Sequence, residues 1–181
     1  MRAVTGSILT ALVMTMAPTQ LAAAEEFQWS PLPVARFAAG PSIFLDPSEI
    51  YFVADITAGV HFVPEPIKED TFGLVWGGDL GFTYEARGFN AFSTAPHVGI
   101  GNRWFSLLYQ SRFLIGSLND LTTIGMRNSA VGHFLLDMGT VEVGHQFVGG
   151  PSGLEHDVRV LVGVNPAPLV LLLIQGTEPQ R

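Results

Sequence analysis

Cysteine is absent from the 181 residues, so the chain holds itself together without disulfides. Small exported domains often depend on such bridges, which makes the lack informative once export is considered. Charge is also scarce: charged residues are 14% of the chain, against about 25% in ordinary soluble domains. Lys and Arg number 9 against 16 acidic residues, a net charge of −7. That balance excludes nucleic acid as an expected partner, because phosphate binding needs clustered cations. Long apolar runs are missing too. After residue 24 the longest is Pro166 to Ile174, well short of the roughly 18 residues that mark a spanning helix. Yet mean hydropathy is +0.34 and hydrophobic residues make up 48%. The apolar residues must therefore be dispersed.

The opening residues have the layout of a secretory signal peptide. Arg2 is the positive start, Ile8 to Met16 the apolar core, and Ala22-Ala23-Ala24 the small-residue cleavage site. Cleavage there leaves 181 − 24 = 157 residues. The length suggests a single domain. We assign 1–24 to the signal, 25–35 to an N-terminal lead-in containing two prolines, 36–175 to the domain and 176–181 to a polar tail.

The dispersed apolar residues alternate. In Phe72 to Glu85, one parity holds Phe72, Leu74, Trp76, Leu80, Phe82 and Tyr84, and the other Gly73, Gly77, Asp79, Gly81 and Glu85. A period of two is that of a strand with two unlike faces. Tyr51 to Val63 repeats the pattern, with Phe52, Ile56 and Phe62 opposite Asp55, Thr57 and His61. Further segments begin near Arg36, Phe89, Arg103, Leu121, Thr140 and Asp157, for a total of about eight. Pro96 suggests a bulge or an interrupted ladder in the fourth. Arg127-Asn128-Ser129 leaves the sixth as one strand or two, and Leu169 to Ile174 continues the eighth or extends beyond it.

With its export site, its two-faced strands and aromatics near strand ends (Phe52, Phe62, Phe72, Tyr84), the chain resembles the small outer-membrane β-barrels of Gram-negative bacteria. The likeness covers nearly all the mature chain and is one of pattern, without a family motif. It implies a single antiparallel up-and-down β-barrel of about eight strands, seated in the outer membrane with lipid as partner. Phe52, Phe62, Phe72, Trp76, Phe82 and Tyr84 would then face lipid or form interface girdles. Barrels of this class commonly end in an aromatic residue, whereas this chain ends Gln180-Arg181.

The polar parities hold Asp55, His61, Asp79, Glu85, Arg112, Glu142 and Arg159. The interior of an eight-stranded barrel is just wide enough for side chains to fill. Charges there must pair, since an unpaired buried charge is costly. We therefore expect structural ion pairs in preference to a proton path or polar pore. Glu142 with Arg159 is one such tie, and Arg112 and Arg159 are the expected partners of Asp79 and Glu85. No HExxH spacing or GxGxxG-helix pattern occurs, so neither a metal nor a nucleotide cofactor is expected. Ser129 and His133 form the nearest nucleophile-base pair, but no acidic orienter accompanies them, and no catalytic residue is assigned.

Three roles remain open. The first is a structural or adhesive membrane barrel, or one that binds a small apolar ligand. The second is a periplasmic or secreted lipocalin-like barrel with its apolar faces inside. The third is a lipid-modifying enzyme. The first two place Trp76, Leu80 and Phe82 on opposite sides of the wall.

Overall fold

Eight segments with a period of two become eight strands. In the computed structural model they are β1 (Gln28–Phe44), β2 (Ile50–Glu65), β3 (Gly73–Glu85), β4 (Phe89–Gly101), β5 (Phe105–Leu118), β6 (Leu121–Phe134), β7 (Gly139–Gly150) and β8 (Gly153–Val164). The structure describes residues 28–45, 48–65, 72–102, 104–135, 138–150, 153–168 and 170. The signal segment, the polar tail and residues 171–175 lie outside that set. Each strand pairs antiparallel with the next, and β8 pairs with β1, so the sheet is a closed up-and-down barrel.

The register sets the barrel's shape. Stepping between paired residues from Leu32 leads through His61, Gly77, His97, Gln110, Ser129, Gly144 and Arg159 to Ser42. The path returns to β1 ten residues on (42 − 32). With a rise of about 3.4 Å per residue and strands about 4.8 Å apart, this stagger tilts the strands by about 40°. Each residue then advances about 2.6 Å along the barrel axis.

Four connections (45–49, 86–88, 119–120, 151–152) lie at one end, here called upper. At the lower end are 66–72, 102–104, 135–138, the start of β1 and the end of β8. No connection exceeds seven residues. The tightest described one, Asn119-Asp120, has φ of 50° and 66°. Two successive positive values in a two-residue hairpin suit the right-handed strand twist, and Asn and Asp tolerate them.

Several boundaries differ from the sequence reading. β1 starts at Gln28, within the stretch assigned to a lead-in. Pro31, Pro33 and Pro41 share one parity, whose amides point toward β8. β8 reaches only to Phe37, so Pro31 and Pro33 leave no β8 ladder bond unmade. The Ala35 amide, of the same parity, donates to Asn165 Oδ1 instead (3.1 Å). At Pro41 and at Pro96 the ladder skips on one side and keeps register on the other, so Pro96 interrupts a ladder without a bulge. β6 is one unbroken strand. β5 continues to Leu118, which shortens the expected loop at Gly116 to Asp120 to a two-residue turn.

Polarity is divided between the two faces of the wall. Trp76, Leu80 and Phe82 point outward and are 41%, 67% and 36% exposed, while Asp79, Thr83 and Glu85 between them are buried inside. Two aromatic belts ring the outside. Trp29, Phe62, Trp76, Trp104, Phe105 and Phe134 lie toward the lower end, with Trp76 packed edge-on to Trp29 (6.0 Å) and stacked on Phe62 (4.3 Å). Phe52, Phe82, Tyr84, Phe92 and Phe113 lie toward the upper end, where Phe82 meets Phe92 at 5.3 Å. On single strands the belts are eight or ten residues apart (Trp76 to Tyr84, Phe105 to Phe113, Phe52 to Phe62). That is about 20–25 Å along the axis.

Replacing Asn119 with Val would place a β-branched residue in the left-handed region. The expected loss is about 1–2 kcal/mol, read as a lower urea midpoint for the refolded barrel. An unchanged midpoint would mean that the turn does not constrain the β5–β6 hairpin.

Candidate functional site

The lumen is the candidate site, and it is filled. Its upper mouth is plugged by Phe89, Ala91, Leu114, Leu118 and Val148. Val63, Val75, Leu108 and Val131 form a second apolar cluster toward the lower mouth. Between them, inward positions from every strand supply polar or charged side chains.

Arg127 on β6 is the hub. Its Nη2 pairs with Asp55 of β2, and its Nε lies 3.3 Å from Glu142 Oε1 on β7. Since β2 and β6 stand opposite each other in a ring of eight, the Arg127–Asp55 pair crosses the bore. Glu142 Oε2 is also 2.9 Å from Arg36 Nη2 on β1. Lower down, Arg112 of β5 reaches Asp79 Oδ1 of β3 at 3.0 Å and donates to Ser93 Oγ of β4 at 2.8 Å. Gln110 Nε2 donates to the other Asp79 oxygen at 2.7 Å. Toward the upper mouth, Arg159 holds Asp157 at 2.7 Å and Glu85 at 3.3 Å. Arg87, in the β3–β4 turn, pairs with Glu85 at 2.9 Å and with Glu155. Its guanidinium lies 4.1 Å from the Phe44 ring centroid, over the mouth. Burial pulls the Arg87 pKa down, but the Glu85 and Glu155 carboxylates outweigh it and raise the pKa.

Glycines make room for these large groups. A Cβ at Gly81 would sit 2.8 Å from Arg112 Nη1, and one at Gly77 would sit 2.7 Å from His97 Nε2. Small residues on the inward parity of β3 thus leave the volume that Arg112 and His97 occupy.

Three histidines from alternate strands meet in the lower half. His61 packs edge-on against His97 (ring centroids 4.6 Å) and His133 (5.1 Å). With Arg36, Asp79 and Gln110 they border a cavity of about 10 Å³, room for about one water. Among the described residues, no group of three or more His, Cys, Asp or Glu is placed to hold a metal.

All seven expected lumen residues are buried inside. Asp79 meets Arg112 and Glu85 meets Arg159. Glu142 does not pair with Arg159. The β7–β8 register sets Glu142 opposite Leu161 and Arg159 opposite Gly144, so Glu142 turns to Arg36 and Arg127. Ser129 and His133 are both buried in the lumen, four residues apart on β6. Four residues of strand span about 13 Å, too far for a nucleophile-base contact. His145 and His156 stack on the outer wall (5.8 Å), away from His133. The lipocalin-like arrangement needs Trp76, Leu80 and Phe82 inside, and they are outside.

Arg36, His97, Arg127 and Asp157 are buried in the lumen but were not among the seven residues expected there. Arg127 lies in the triplet that leaves the sixth segment as one strand or two, although Thr123, Arg127, Ser129, Val131 and His133 share one parity and all are buried. No family model matches the chain, and neither a curated protein nor a solved structure matches it.

Arg127→Met would leave Asp55 and Glu142 charged without their shared partner. We expect a loss of about 3–5 kcal/mol, measured by urea unfolding of the refolded protein. Adding Asp55→Asn should recover part of it. Arg127→Met with an unaltered midpoint would show that the hub contributes nothing.

Proposed function

We propose that this protein is a small outer-membrane β-barrel with a structural role: a sealed wall element that passes no solute. The observation carrying the reading is the inverted polarity of the barrel. Its outer wall is predominantly apolar between two aromatic belts, and its charged groups are mostly inside. The estimated belt spacing of about 20–25 Å is close to the roughly 25 Å apolar band of outer-membrane barrels. Strands of 12–17 residues far exceed the usual length of about 5–6. At about 2.6 Å of axial rise each, even 12 residues cover about 31 Å, enough for the hydrocarbon layer. The export layout at Ala22-Ala23-Ala24 agrees with that destination.

The lumen supports a closed barrel in preference to a pore. Ion pairs join strands across the bore, apolar clusters plug both halves, and the cavity is of one-water size. Connections of at most seven residues offer little surface for recognition, which favours a structural over an adhesive role.

Cell fractionation tests the location. Recovery should require detergent, and recovery from the periplasm without it would sink the proposal. In planar bilayers the refolded protein should give no stepwise conductance. All three tryptophans, Trp29, Trp76 and Trp104, belong to the lower belt. Lipids brominated near the headgroup should therefore quench their fluorescence more than lipids brominated at the chain ends. The reverse order would place the belt at the wrong depth.

A further inference from the structure

The outer wall has one polar line. Thr94 on β4, Ser111 on β5, Asn128 on β6 and His145 on β7 all point outward between or beside the belts. Ser111 stands directly opposite Asn128, and Asn128 opposite His145. Outward positions of β1–β3 between the belts carry only apolar side chains or glycine.

The line is knitted together but not satisfied. Asn128 Oδ1 accepts from Ser111 Oγ (2.7 Å) and from Tyr109 Oη (3.0 Å). Its side-chain NH₂ makes no hydrogen bond among the described residues, and His145 Nε2 is covered without a partner. In hydrocarbon such donors need an acceptor, since water is absent.

We infer that the outer face of β5–β7 is the contact surface between two copies of this chain in the plane of the membrane, a step that rests on the membrane reading above. Two copies inserted the same way are related by an axis along the membrane normal, so each residue meets its mate at equal depth. The row climbs about 3 Å per strand with the tilt, so with Asn128 nearest that axis its middle meets itself while its ends diverge. Its chemistry is self-complementary: the Asn128 NH₂ of one copy faces the Ser111 and Tyr109 hydroxyl oxygens of the other. A lipid ester offers acceptors only and would leave those hydroxyl oxygens unused. Beside Asn128 the wall is low, with Ala130 and Gly132 next along β6. A Cβ at Gly132 would meet nothing closer than 3.9 Å, so the barrel's own packing does not demand a glycine there.

The absence of native cysteine makes the test direct. Ala130→Cys on β6 and Ala58→Cys on β2, across the barrel, are each reconstituted in phosphatidylcholine vesicles. Insertion is checked by flotation, folding by circular dichroism, and coupling by mild oxidation. We expect disulfide dimers from Ala130→Cys and few from Ala58→Cys. Adding Asn128→Val to Ala130→Cys should weaken coupling roughly tenfold, as expected for an equilibrium shifted by about two hydrogen bonds. Equal coupling at both sites, no coupling in floated and folded protein, or coupling indifferent to Asn128→Val would each overturn the inference while leaving the membrane reading intact. Retention of phospholipid that is lost with Asn128→Val, in a protein that stays monomeric, would assign the line to lipid and also overturn it. Protein that folds but does not float would remove both.

Discussion

The ion pair between Arg127 and Asp55 joins strands on opposite sides of the ring. Other contacts extend from it and beside it: Glu142 ties Arg127 to Arg36, and Arg112 ties Asp79 to Ser93. A charge inside this barrel has little water to turn to, so it is stable only while its partners are in place. The network is thus a condition on closure as well as a product of it. If β8 failed to pair with β1, Arg36 would part from Glu142 and lose that partner.

The same condition explains the polarity of the wall. An eight-stranded barrel with a stagger of ten encloses about the volume of its own inward side chains. Here that volume holds arginines, carboxylates and histidines, with glycines at Gly77 and Gly81 leaving space for them. With the polar parity inside, the apolar parity has to face outward. An apolar exterior is tolerable where the surroundings are apolar, and aromatic belts mark the height at which that medium would end.

Much of the fold was legible from alternation alone, because a period of two survives even where charges interrupt it. The eight strands and the shared polar parity of Asp55, Asp79, Glu85 and Arg112 could be named that way, whereas the side of the wall taken by Trp76 could not. Proline obscured part of it. Pro31 and Pro33 looked like a lead-in, since the sequence does not say that the β8 side of β1 is unpaired there. The polar triplet Arg127-Asn128-Ser129 left the sixth segment open as one strand or two, yet it straddles the wall of a single strand with Arg127 inside and Asn128 outside.

The sequence by itself determined strand count and the composition of each face, because these depend only on which residues are two apart. It could not determine which charges meet. A lumen pair depends on the stagger accumulated around the whole ring, and one step of register moves every partner. Tertiary closure therefore decided that Glu142 takes Arg36 and Arg127 in place of Arg159. Closure also placed Ser129 and His133 inside the lumen and aligned Ser111, Asn128 and His145 across three strands of the outer wall. Each of these is a relation between distant segments, made by hydrogen-bonded register.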